Sequence, residues 1–145
     1  MPSSDSAPAM SARLGYLFKH AGRLMSELND AALAPLGIDA RELGVLIVID
    51  GFEPASQQQV AERIGVDRTT MVVMLDTLEV KGLLSRHPDA DDRRRNVVVL
   101  TQSGQEVLRR GTAASDAAEA ELLTPLSGDD GERLRDLLVR LLAGQ

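Results

Sequence analysis

The stretch that most restricts how this chain can fold is Gly65-Val66-Asp67, a one-residue junction between two helix signals. Upstream, Ser56-Gln57-Gln58-Gln59 is an S-x-x-Q capping box, in which the serine hydroxyl takes the amide of Gln59 and the Gln59 side chain reaches back. Val60, Ala61 and Ile64 supply inward positions. Gly65 suits the left-handed residue that closes a helix, and Asp67 is the next N-cap. Two helices joined by so short a turn must cross steeply, which is the helix-turn-helix arrangement.

The second helix opens Asp67-Arg68-Thr69-Thr70. Steps of about 100° per residue put Met71, Met74, Leu75 and Leu78 on one face. Thr69, Val72, Val73, Asp76 and Val80 point away from it. The core face is complete without Val73, so this valine is either a harmless surface residue or part of a recognition surface. Gly82 marks the helix end.

Two short apolar or β-branched runs follow, Leu83-Leu84-Ser85-Arg86 and Asn96-Val97-Val98-Val99-Leu100, around a polar turn. They predict a hairpin with a long, exposed tip. From Lys81 to Arg95 there are five Lys/Arg against three Asp, a local +2 in a chain of net charge −6. Arg93, Arg94 and Arg95 stand together on the tip, and a duplex backbone is the partner that clustered arginines match best.

Asp92-x-Arg94-x-x-x-Val98-x-Leu100-Thr101-x-x-Gly104 resembles the D-x-R-x-x-x-L-x-L-T-x-x-G signature of the MarR family of winged-helix transcription regulators, with Val98 in place of Leu. Leu78-Glu79-x-Lys81-Gly82-Leu83-Leu84-x-Arg86 is similar to that family's passage from recognition helix to wing. The resemblance extends in helix order over nearly the whole chain after about residue 10.

At 145 residues there is room for one domain, and a 43% apolar share suffices for a core. Aromatics are only 2%, so Leu, Val, Ile, Ala and Met must build it. No apolar run approaches the roughly 20 residues of a membrane span. Residues 1–10, rich in Ser, Pro and Ala, lack the pattern of a secretory signal and are expected to be a flexible tail of a cytoplasmic protein. The chain has no Cys, which excludes disulfides, thiolate metal sites and thiol redox sensing within it.

A long first helix is expected from Ser11 or Ala12 to Ala34, ended by Pro35 and Gly37. A second starts at the Asp39/Glu42 capping pair and carries Leu43, Leu46, Ile47 and Ile49 inward. Beyond the hairpin, Thr101 caps a helix running to about Leu123, ~33 Å long, whose second half is rich in alanine. Pro125 breaks it, and Ser127 caps a last helix with Leu134, Leu137, Leu138 and Leu141 on one face. Residues 112–136 carry seven Asp/Glu and two Arg, a net −5 that would repel DNA.

The expected fold is mainly α: about six helices, a winged helix-turn-helix with a two-stranded wing (residues 39–104), and an intertwined helical dimerisation region (11–38 and 105–145). The apolar terminal helices suggest self-association, and the resemblance implies an interlocked homodimer. Such a dimer presents two recognition helices ~34 Å apart to a pseudo-palindromic operator in double-stranded DNA.

The resemblance further implies that Arg94 enters the minor groove, with Arg93 and Arg95 on phosphate, and that Asp92 either orients an arginine or caps the turn. Arg68, Thr69, Thr70, Val72 and Val73 would face the major groove, where a valine can touch a thymine methyl. Ser56 and Gln57 are phosphate candidates at a helix N-terminus, although capping alone accounts for Ser56. Lys81 is a further phosphate candidate. Relatives of this type respond to small molecules, often aromatic and anionic; Arg13, Tyr16, His20 and Arg23 flank the stripe of the first helix and are the candidate ligand residues. His20 reads more simply as a half-buried helix residue bonded to a neighbour.

No cofactor, metal or catalytic residue is implied. Without Cys, and with only two His, no nucleophile or metal constellation is in view, which argues against a hydrolase or transferase. The competing reading is a winged helix used only for protein contacts, favoured by the net negative charge.

Overall fold

A computed structural model of the chain describes residues 8–52 and 55–145. Among these residues there are seven helices and three strands: α1 (Pro8–Ser11), α2 (Leu14–Leu33), a 3-10 turn (Ala34–Leu36), α3 (Ala40–Gly51), β1 (Ala55–Ser56), α4 (Gln57–Ile64), α5 (Arg68–Val80), β2 (Leu84–Pro88), β3 (Asn96–Leu100), α6 (Gln102–Leu122) and α7 (Gly128–Ala143). Of the expected tail, residues 1–7 lie outside the described part, and residues 8–11 form a single helical turn. Glu53 and Pro54, in the loop expected before Ser56, also lie outside it.

The helix boundaries follow local chemistry. Both capping boxes close: the Asp39 carboxylate accepts the amide of Glu42 at 2.8 Å and the Ser56 hydroxyl accepts that of Gln59 at 3.1 Å, each with the reciprocal bond in place. Gly37, Gly65 and Gly82 take positive φ of 74°, 78° and 75°, the left-handed region that a side chain would strain. The 3-10 turn at Pro35 and Gly65 thus set the two sharp corners on either side of α3 and α4.

The sheet is larger than the expected two-stranded wing. Its order is β1-β3-β2, all antiparallel, with Ala55 opposite Val98 and Ser56 opposite Val97. A strand of two residues has no alternation to read, and its second residue is already the N-cap of α4. Pairing with β3 anchors the start of α4 to the wing.

The core lies where α3, α4, α5, the sheet and the first half of α6 meet. Leu46, Ile49, Val60, Leu75, Leu78 and Val98 are wholly buried there; removing each such side chain from water stabilises the fold by about 2 kcal/mol. The stripe expected on α3 needs one correction. Ile47 is 49% exposed while Val45 is fully buried, because α3 is covered on two sides, by α6 and by the helix-turn-helix, and its inward arc is centred elsewhere than a single stripe suggests.

The signature Leu100-Thr101-x-x-Gly104 has a direct physical reason. The Thr101 hydroxyl donates to the Gly82 carbonyl at 2.6 Å and accepts the Gly104 amide at 3.0 Å, capping α6 against the end of α5. At Gly104 a β-carbon would stand 1.8 Å from the Leu83 carbonyl oxygen, so only glycine lets α6 approach the wing this closely.

α6 then runs beside α2. The Ser115 hydroxyl donates to Asn29 at 2.8 Å, and Ala118 is buried, so part of the alanine-rich half serves close approach within the chain. α7 is held more loosely. Arg135 pairs with Glu119 of α6 at 2.7 Å, and of its residues only Gly131 is buried. An apolar groove of about 450 Å³ runs between α2, α6 and α7, bordered by Phe18, Met25, Leu122, Leu134, Leu138 and Val139.

Candidate nucleic-acid interface

The recognition helix has the phase expected of it. Met71, Leu75 and Leu78 are buried and Met74 packs against the core, whereas Val73 is 60% exposed. Arg68 and Thr69 are exposed beside it. Val72 departs from the expectation: it is half-buried rather than fully outward, at the boundary of the two faces. Asp67 caps the helix, its carboxylate accepting the Thr70 amide at 2.7 Å and the Thr70 hydroxyl at 3.0 Å. These bonds, the amide first, hold the Asp67 carboxyl below its ordinary value. The Thr70 hydroxyl proton is therefore committed within the protein.

At the wing tip, Arg93, Arg94 and Arg95 are all exposed. Among the described residues none of these three guanidiniums takes part in an ion pair. Asp92 performs the capping role of its two candidates: its carboxylate accepts the Arg94 amide at 3.1 Å and its carbonyl the Arg95 amide at 3.0 Å. It shapes the turn that holds the arginines out, and its side chain pairs with none of them.

The other two cations of the local +2 are engaged elsewhere. Lys81 donates to Glu42 at 2.7 Å and to the Gly37 carbonyl at 2.8 Å, so the expected phosphate cation is instead a tie from the end of α5 to the α2–α3 corner. Arg86, on β2, meets Asp76 and Glu79 of α5 and Gln57 of α4. Hydrogen bonding to Glu79 and then to Asp76 raises its pKa further above the ordinary arginine value. In the local charge count Arg86 is one cation among five. Its place in the Leu78–Arg86 motif was the available signal, but two carboxylates seven and ten residues away become its partners only once the chain turns at Gly82.

Ser56 is 7% exposed, with its hydroxyl closing the capping box, so its side chain is a structural cap. Gln57 is half-buried and accepts from Arg86 at 3.4 Å. The Ser56 hydroxyl already takes the Gln59 amide, so what the start of α4 still offers is the amides of Gln57 and Gln58, which lack acceptors within the helix.

On α2, positions 13, 16, 20 and 23 share a side at three- and four-residue steps. Arg13 precedes the first turn, the Tyr16 and His20 rings lie against each other with centroids 4.0 Å apart and planes tilted by 36°, and Arg23 pairs with Glu27 at 2.8 Å. None of the four borders the groove between α2, α6 and α7.

Two helices joined through the left-handed Gly65, the second of them presenting Arg68 and Thr69 at its start, tied to a hairpin whose tip arginines are in no ion pair among the described residues, define a winged helix-turn-helix. The sequence profile of the MarR family matches residues 36–95. Among solved structures, the transcriptional repressor CouR bound to a 23-mer DNA duplex is 31% identical, covering 98% of this chain and 98% of its own, with a TM-score of 0.84. A probable transcriptional regulator from Pseudomonas aeruginosa is 28% identical over 91% of this chain and 98% of its own, with a TM-score of 0.82. CouR from Rhodococcus jostii RHA1 bound to p-coumaroyl-CoA is 28% identical, covering 91% and 93%, with a TM-score of 0.78. The chain belongs to the MarR family of transcriptional regulators.

Proposed function

We propose that this chain is a dimeric, sequence-specific DNA-binding regulator, acting as a repressor on a pseudo-palindromic operator and released by a small-molecule effector. The observation that carries the reading is the pairing of an outward Arg68-Thr69-Val73 surface on α5 with the three uncommitted arginines of the wing. The similar protein CouR has been solved on a DNA duplex, which supports the same use here.

The division of labour is phosphate for position and base edges for sequence. Arg94 enters the minor groove and Arg93 and Arg95 neutralise phosphates. The first-turn amides of α4, at Gln57, receive a phosphate, as helix N-termini do. Arg68, Thr69 and Val73 face the major groove, with Val72 and Thr70 at the edge of the contact.

Dimerisation through residues 11–38 and 105–145 is supported by apolar side chains left outside the core. On α2, Leu14, Leu17 and Phe18 are exposed, and on α7 Leu137, Leu141 and Leu142. A second copy would cover them and the groove beside them, and burial of so much apolar surface drives association. The effector would lie near Arg13, Tyr16, His20 and Arg23, two rings in contact beside one cation and a second that is paired with Glu27, which suits an aromatic anion; a relative, CouR, has been solved with p-coumaroyl-CoA. Among the described residues no helix is long and apolar enough to cross a membrane, and a regulator reaching genomic DNA acts in the cytoplasm.

Selection of bound fragments from the source genome with the purified chain, followed by titration over a range of salt, tests the proposal. Binding that recovers a common inverted repeat and weakens log-linearly with salt is the expected result. No enrichment, or a salt-insensitive interaction with protein alone, would instead favour a winged helix used for protein contacts.

A further inference from the structure

The outward side of α5 carries two carboxylates where a duplex would repel them. Asp76 lies three residues beyond Val73 and four beyond Val72, one turn along the same side of the helix, and Glu79 follows three residues later. Both are bonded to one cation. The Arg86 guanidinium gives Nη2 to the Asp76 carboxylate, Nε to Glu79 at 3.2 Å and Nη1 to Gln57 at 3.4 Å. Its side chain is 21% exposed, against 54% for Asp76 and 42% for Glu79. The cation therefore sits behind the acids, and each of its three nitrogens already faces a protein acceptor.

Resting on the DNA-binding reading above, we propose that Arg86 serves DNA binding without touching DNA, as a positioning residue that halves the net charge of Asp76 and Glu79 on the groove-facing side of α5. Its position on β2 suits this role. The strand leaves the end of α5 through Gly82 and brings the guanidinium back alongside the helix's last two turns, so the mask forms wherever the wing is folded. A phosphate approaching the later turns of α5 meets a cluster of net charge −1 with the cation at its centre. Without the arginine it meets two bare carboxylates.

Three variants measured beside the wild-type chain on a random-sequence duplex and on the selected operator decide the matter. Arg86→Ala should bind both duplexes about tenfold more weakly at low salt, the size of a nearby like-charge repulsion, and the deficit should shrink as salt rises. Adding Asp76→Asn and Glu79→Gln to that variant should restore wild-type affinity although the bridge between wing and helix stays broken. The Asp76→Asn, Glu79→Gln double variant, which keeps Arg86 and creates no cavity, should bind more tightly than wild type and stands as the test if Arg86→Ala does not fold. Unchanged binding by Arg86→Ala, or a triple variant as weak as Arg86→Ala, would overturn the proposal, the latter pointing to a direct contact or a purely structural bridge. A double variant that binds no more tightly than wild type would overturn it as well. Failure of the wild-type chain to bind any duplex would overturn both readings, whereas those three results overturn this one alone.

Discussion

At the scale of single residues, a cation's value depends on whether the protein has already used it. Arg94 is exposed on a turn shaped by Asp92, so Arg94→Ala should leave the melting temperature within about 1 °C, since exposed side chains away from special features carry little stability. Operator binding should weaken strongly and the salt slope flatten by about one unit; titrations at several salt concentrations read both. Lys81 behaves oppositely. Lys81→Met breaks two bonds between α5 and the α2–α3 corner and should cost about 1 kcal/mol of stability, seen in urea melts. Val73→Ala, at an exposed position, should leave stability nearly unchanged yet reduce discrimination between bases at one symmetric pair of operator positions, where a wrong base costs about 1–3 kcal/mol. Competition with singly substituted operators measures this, and a large stability loss with an unaltered base profile would place the valine inside.

At the scale of elements, the junctions are where one atom decides a packing. Gly104→Ala drives a methyl into the Leu83 carbonyl. Backbone on both sides cannot yield as a side chain can, so a loss of about 3 kcal/mol is expected in denaturant unfolding, with β2 and α6 displaced. The recognition helix depends on its cap in a pH-dependent way. The Asp67 carboxyl titrates below its ordinary value in the folded chain, so its stabilisation is complete above the unfolded value of about 4 and is lost as pH falls through the lower folded value. Melting curves of wild type and Asp67→Ala should therefore differ at neutral pH and converge in strong acid. A constant difference across that range would mean that the carboxylate is not the stabilising group.

At the scale of the whole molecule, apolar surface is distributed unevenly. The core under α5 is closed, while α2 and α7 leave Leu14, Leu17, Phe18, Leu137, Leu141 and Leu142 uncovered. The chain as proposed is an obligate dimer, and sedimentation at micromolar concentration should find no folded monomer. Removal of residues 126–145 should abolish the dimer; unchanged assembly would place the interface elsewhere. Charge is uneven as well. The wing tip holds three arginines that are in no ion pair among the described residues, and residues 112–136 carry a net −5, so on the proposed reading the wing is the part that attracts DNA.

Whatever depends on neighbours in the chain can be read without the fold. Caps at Asp39, Ser56, Asp67, Thr101 and Ser127, corners at Gly37, Gly65 and Gly82, and the inward face of α5 are all local, because a cap bonds three residues ahead and a helix repeats every 3.6 residues. The outward Val73 and the exposed wing arginines were legible for the same reason. Packing in three dimensions accounts for β1, which has no pattern of its own and exists because β3 offers it an edge. It also decided which face α3 buries, since two sides of that helix are covered, and it moved Lys81 and Arg86 from the DNA-facing charge to internal partners at Glu42, Gly37, Asp76 and Glu79. A count of charges along a chain cannot separate a cation awaiting a phosphate from one already paired. That distinction is a matter of a few ångströms, and those are set only when the wing folds back against the recognition helix.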